Sequence, residues 1–227
     1  SLLTDIETPH RHYFELSLLF HLLGGSQNQN MTPLLEQKPD FVVFGFCLGL
    51  QTMNVATGGK MVQDIPSELY EMEYVEDVLG LNPDQLHHNY WSDLYPENDI
   101  SGYQFHRIKL LPGQFWVKIL KMNPEFQPLV YSNHHQALGD IGMNLVAGAT
   151  SLDGKVLESI HHIKYPNVLG VQFHPENYLL YDSSEAGYKQ FPEEESYRSA
   201  YDILNTDESL EFHYSFWKYF SELFNEI

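Results

Sequence analysis

Residues 41–44, Phe-Val-Val-Phe, run directly into Gly45-Phe46-Cys47-Leu48-Gly49-Leu50-Gln51 with no polar loop between them. A short apolar run bounded by a turn signal reads as a buried strand, and 48–57 reads as the start of a helix. A strand that feeds straight into a helix forces a sharp corner, and glycines at 45 and 49 permit the turn and a close backbone approach. A residue at such a corner is pushed out at the top of a sheet. The N–H of the next residue, Leu48, is left free to point at a substrate oxygen. Cys47, the single cysteine of the chain, occupies that corner. A lone cysteine is commonly a buried structural thiol. Its place here makes it read as a nucleophile.

A thiol nucleophile needs a base. Gly170-Val171-Gln172-Phe173-His174-Pro175-Glu176 ends a second apolar strand with a histidine and a glutamate. His174 can take the thiol proton, and Glu176 can hold the imidazole in the right tautomer. An imidazolium partner would draw the thiol below its free pKa of ~8.5. Because more than half of the chain separates Cys47 from His174, only a fold that aligns both strand ends brings them together. His-Pro-Glu alone fits a surface turn equally well; paired with the cysteine corner it carries weight.

These stretches resemble the class I glutamine amidotransferase-type hydrolases, marked by a Gly-x-Cys-x-Gly-x-Gln elbow and a distant His-x-Glu. Within them the chain is similar to the gamma-glutamyl-gamma-aminobutyrate hydrolase and gamma-glutamyl hydrolase branch of the cysteine peptidases. The narrower match rests on Gln51-Thr52-Met53-Asn54-Val55-Ala56-Thr57-Gly58-Gly59 with Gln63-Asp64-Ile65, on Ser132-Asn133-His134-His135-Gln136-Ala137, and on Asp153-Gly154-Lys155-Val156-Leu157-Glu158. It covers roughly residues 5–177. The resemblance implies an α/β three-layer sandwich with a mostly parallel, flavodoxin-like central sheet. It also implies that His134, His135 and Gln136 line a gamma-glutamyl pocket. The family's first two strands and its glycine-rich oxyanion loop have no counterpart upstream, so the natural protein is expected to extend beyond Ser1.

The chain has 227 residues and 26.4 kDa, enough for one sizeable core, and is read as a single domain over 1–227. A formal charge of −19 argues against nucleic acid or an anionic membrane as partner. One cysteine excludes an intramolecular disulfide and suits a reducing compartment, so a cytoplasmic location is expected. No stretch reaches the ~18 apolar residues of a membrane span. A homodimer is compatible with these features.

Pro9 in a first turn and Gly24-Gly25 at the end frame an opening helix over a stretch beginning at Asp5-Ile6-Glu7. Residues 64–100 read as a long irregular connection over the active face. Strands are predicted at 103–110, 128–132, 144–149, 155–163 and 168–173, with a short helix at 114–121 and a hairpin signal at Asp153-Gly154. The polar stretch 177–206 reads as a solvated insertion, or more sharply as a lid or partner-binding segment. An amphipathic helix follows at 207–226, its stripe formed by Leu210, His213, Trp217, Phe220 and Phe224, with Phe216 and Leu223 beside it. Asn205 or Thr206 can cap it, and Glu208 stands where a capping box with Asn205 would want it.

Three adjacent histidine pairs occur: His87-His88, His134-His135 and His161-His162. Neighbours on a strand face opposite ways, so a pair rarely chelates one metal, and no zinc-type spacing is present. The first and third pairs are expected at the surface or in loops, and no metal or cofactor is expected. Gln51, one helical turn past Cys47, either reaches a substrate carbonyl or satisfies the core. Asn30-Met31-Thr32 fits a glycosylation sequon without a secretory signal to support its use. The expected reaction is hydrolysis of a small gamma-glutamyl amide through a thioester on Cys47. A glutaminase subunit feeding ammonia to a synthase is the first alternative, and a non-catalytic relative the second.

Overall fold

Residues 8–225 are described by the computed structural model; Asp5, Ile6 and Glu7 of the expected opening helix, and position 226 of the last one, lie outside them. In chain order come α1 (Pro9–Leu23), β1 (Val43–Phe46), α2 (Leu48–Ala56), β2 (Met61–Val62), α3 (Ile65–Leu69), α4 (Val75–Val78), α5 (Tyr90–Leu94) and β3 (Gln104–Leu110). Then follow α6 (Phe115–Lys118), β4 (Leu129–Ser132), β5 (Ala137–Leu138), β6 (Leu145–Ser151), β7 (Leu157–His162), β8 (Val168–Val171), α7 (Ala200–Leu204) and α8 (Asp207–Asn225). Pro9 opens α1, where its missing N–H costs nothing. Gly24 closes it at φ 77°, its N–H donating to the Phe20 carbonyl at 2.8 Å. The connection over 64–100 is less irregular than expected, since α3, α4 and α5 punctuate it.

Six strands form one sheet in the order β1-β8-β7-β6-β3-β4, and β2 and β5 form a separate antiparallel pair. The α/β layering holds, but the sheet is mixed rather than mostly parallel. Among the described residues β1 and β8 are the one parallel pair, and β8, β7, β6, β3 and β4 run antiparallel. The reason is connection length. The Asp153-Gly154 turn between β6 and β7, with Gly154 at φ 77°, can join only antiparallel neighbours, whereas a parallel pair needs a long crossover.

Alternation along β1 and β8 divides the core in two. Phe44, Phe46, Leu169 and Val171 join Phe115, Trp116, Phe212, Phe216 and Phe220 under α6 and α8. Val43 and Val168 join Leu23, Leu50, Met53 and Ile160 under α1 and α2. The sheet is thus a middle layer between helices. Within α8 the buried line is Phe212-Phe216-Phe220 with His213, while Phe224, expected in the stripe, is 62% exposed. Phenylalanines four apart stack on one face and set the helix rotation. Thr206 is the cap: its hydroxyl oxygen accepts from the Ser209 N–H at 3.3 Å. The Asn205 box does not form, because the Glu208 carboxylate accepts from the Gln127 N–H instead. Nor is 177–206 simply solvated, since Leu180 and Leu204 are fully buried against Phe105 and Tyr131.

Candidate active site

The corner after β1 has the form its sequence requires. Cys47 adopts φ 46° and ψ −102°, a region non-glycine residues rarely visit, and strain of this kind is tolerated where the surroundings over-determine it. Two features hold it. The Cys47 N–H donates to the Val171 carbonyl at 2.8 Å. Gly45 lets α2 sit against β1, for a Cβ there would lie 2.6 Å from the Gly49 carbonyl carbon. Gly49 differs, since a Cβ added there would meet nothing within 4 Å. As first residue of α2, Leu48 has an N–H with no intrahelical acceptor.

The parallel register sets Phe46 beside Val171, so the chain leaves both strands at the same sheet edge. His174 follows there, its N–H donating to the Tyr131 carbonyl at 2.8 Å and its Nδ1 lying 2.8 Å from Glu176 Oε1. Burial works against the imidazolium, but the Cys47 sulfur and the Glu176 carboxylate together outweigh it and push His174 up to about 9. Tyr103 packs edge-on against His174 and stacks on Tyr131. Its phenol is raised by burial and then by the nearby Glu176 and Cys47. The site thus brings an imidazole together with a carboxylate and a nearby thiol.

Gln51 is committed inward. Its Nε2 donates to the Gln136 carbonyl at 3.2 Å and to Gln172 Oε1 at 3.3 Å, while Gln172 Nε2 reaches Cys47 Sγ at 3.5 Å. Gln172 is fully buried, and no role was read for it from the sequence. A polar residue two before His174 on the same strand exit was the available signal.

The stretches around Gln63 and His134 meet. Gln136 Nε2 donates to Gln63 Oε1 at 3.0 Å, the Ile65 N–H to the His135 carbonyl at 2.7 Å, and His135 Nδ1 lies 3.3 Å from Asp64 Oδ1. A cavity of about 390 Å³ opens beside them, lined by Asp64, His88, Tyr90, Asp93, His134 and His135. His134 borders it but is itself buried, with its ring 5.0 Å from that of His87. His87, expected at the surface, is buried as well, and so is His162, whose Nδ1 accepts the N–H groups of Lys164 and Tyr165. Burial and the neighbouring Lys164 charge push His162 down to about 4. A second groove, about 560 Å³, runs along the outer edge of β1 beneath α1 and ends at Leu48 and Gly49.

The Peptidase C26 family matches residues 30–176. The glutamine amidotransferase-like protein YvdE of Lactococcus lactis is 31% identical over 134 residues, covering 59% of this chain and 45% of its own length. Protein NtpR of Enterococcus hirae is 28% identical over 188 residues, covering 82% and 66% respectively. The chain thus spans between about half and two thirds of these relatives' lengths. A solved glutamine amido transferase from Methylobacillus flagellatus aligns with a TM-score of 0.46 at 17% identity, over 95% of this chain and 67% of that one. Since the family match runs from before the cysteine corner to Glu176, the chain belongs to the Peptidase C26 family and is a class I glutamine amidotransferase-like hydrolase.

Proposed function

We propose that this hydrolase cleaves the amide bond of small gamma-glutamyl compounds, with Cys47, His174 and Glu176 as its catalytic set. The observation that carries the reading is the strained Cys47 corner at the sheet edge it shares with His174, whose Nδ1 lies 2.8 Å from Glu176. The Cys47 thiolate attacks the gamma carbonyl, and the developing oxyanion is met by the Leu48 N–H. His174 gives its proton to the departing amine, leaving a gamma-glutamyl thioester. His174 then takes a proton from water; the hydroxide adds, glutamate leaves and the thiolate returns. Glu176 orients the imidazole throughout. Gln51 and Gln136 brace the pocket wall, and His135 with Asp64 meets the polar end of the glutamyl group, while His134 supports the wall from behind.

A second reading, favoured by the names of the relatives, is a glutaminase whose leaving group is ammonia passed to a partner. The chemistry is the same and the leaving amine differs. A mass-spectrometric panel of gamma-glutamyl amines, gamma-glutamyl peptides and glutamine separates the two. Glutamate release from the amines is expected, abolished in Cys47→Ser; turnover of glutamine alone would favour the glutaminase. A glutamine-like chloroketone is expected to alkylate Cys47, with loss of chloride. Adduct formation that survives Cys47→Ser overturns the nucleophile assignment.

A further inference from the structure

Behind the pocket wall lies a cluster that the proposed reaction does not use. His87, His106, His134 and Glu158 are all buried, and they come from four loops or strands far apart in the chain. The His134 backbone N–H donates to the His87 carbonyl at 2.9 Å, which ties the two loops together. The His134 ring is fixed in one tautomer: its Nδ1 lies 2.8 Å from the Gln136 carbonyl, which can only accept, so Nδ1 carries the proton. Nε2 is therefore a bare lone pair, and it has no hydrogen-bond partner among the described residues. The same holds for Glu158 Oε2 and for both ring nitrogens of His87. His87 Nδ1 comes within 3.2 Å of Glu158 Oε1 but is not aligned for a hydrogen bond.

So many buried polar atoms left without a partner in one place are costly to the fold. A cation would satisfy them together. One ligand atom each from His87, His134 and Glu158 lies within 4.8 Å of the others. Tetrahedral ligands at ~2.1 Å from a zinc ion stand about 3.4 Å apart, so closure requires shifts of about an ångström. Two imidazoles and a carboxylate suit zinc or a similar first-row divalent ion, and the supporting contacts such a site needs are already present. Gln136 holds His134, and His106 Nε2 lies 3.1 Å from Glu158 Oε1, steadying the carboxylate. The spacing hid this site because each ligand sits on its own segment.

We propose that His87, His134 and Glu158 bind one divalent transition-metal ion, zinc by donor type, as a staple behind the pocket. The ion would pin the His134–Gln136 segment, whose Gln136 carbonyl receives Gln51, to the β7 strand that carries Glu158.

The test uses the whole chain, purified after expression with added zinc and dialysed into metal-free buffer. Elemental mass spectrometry is expected to find about one zinc per chain, and resupply after chelation to raise the melting temperature by roughly 5–10 °C. Cobalt(II) in place of zinc is expected to give the strong visible bands of a four-coordinate site, with the three side chains and one water as ligands. Glu158→Gln and His134→Gln are expected to lose the ion, and His21→Ala, an exposed histidine on α1, to keep it. Retention by both cluster variants would assign the ion elsewhere and overturn the proposal. So would wild-type protein with neither retained zinc nor cobalt bands, a reading that does not depend on any variant folding.

Discussion

His174 folds with its proton more tightly held than in the open chain, and that has a sign. A histidine raised from about 6.5 to about 9 contributes stability in full below pH 6.5 and loses it as pH rises through 9. The stability gap between wild type and His174→Gln is therefore expected to shrink between pH 6 and 9.5 in denaturant melts. A constant gap would mean the imidazole is not specifically held. In Cys47→Ala the His174 pKa is expected to fall, as followed by NMR, because one of its two partners is gone. For turnover, His174→Ala is expected to lose on the order of 100- to 10,000-fold. Glu176→Gln is expected to lose less, with the upper limb of its pH–rate profile moved to lower pH, since Glu176 acts through the imidazole. Equal residual rates and an unmoved profile would show that Glu176 merely packs. Cys47, His174 and Glu176 were legible because glycine, cysteine and histidine at strand ends announce themselves locally. Gln172 and the His87 cluster did not, since they meet only through tertiary contacts.

At the scale of elements, two glycines four residues apart are expected to behave oppositely. A methyl group at Gly45 would drive into the Gly49 backbone, so Gly45→Ala is expected to cost roughly 1–3 kcal/mol and to slow alkylation of Cys47 as α2 moves off β1. At Gly49 the space is open, and alanine is a better helix former by up to about 1 kcal/mol, so Gly49→Ala is expected to melt no lower than wild type. Matching melting temperatures for the two would sink this account of the corner. Phe216→Ala, in the middle of the α8 row, is expected to cost about 3–5 kcal/mol in chemical denaturation. Strands and their turns were legible because alternation and Asp-Gly signals are local. The rotation of α8 was not: aromatic residues lie on several of its sides, and only packing decides which of them faces Trp116. The burial of Leu180 and Leu204 was missed for a similar reason, since a few scattered apolar residues in a polar stretch give no period.

Across the whole molecule, the layers were readable and the direction of the strands was not, because direction depends on which strands become neighbours. Among the described residues no helix is long and apolar enough to cross a membrane. The one parallel pair is also the pairing that unites the chemistry, and it joins segments 125 positions apart when Gln172 reaches Cys47. Contacts of such separation form late, since the loop between them must be closed first. In refolding, the hairpin of β6 and β7 is expected to gain hydrogen-exchange protection before Cys47 becomes rapidly alkylated by the chloroketone; the reverse order would contradict this. The same distance acts during synthesis. At about 5–20 residues per second, roughly 6–25 s pass between the making of Cys47 and of His174. Throughout that interval the nascent chain carries the thiol without the imidazole proposed as its partner. The order of translation thus holds the proposed pair apart until most of the fold has been made.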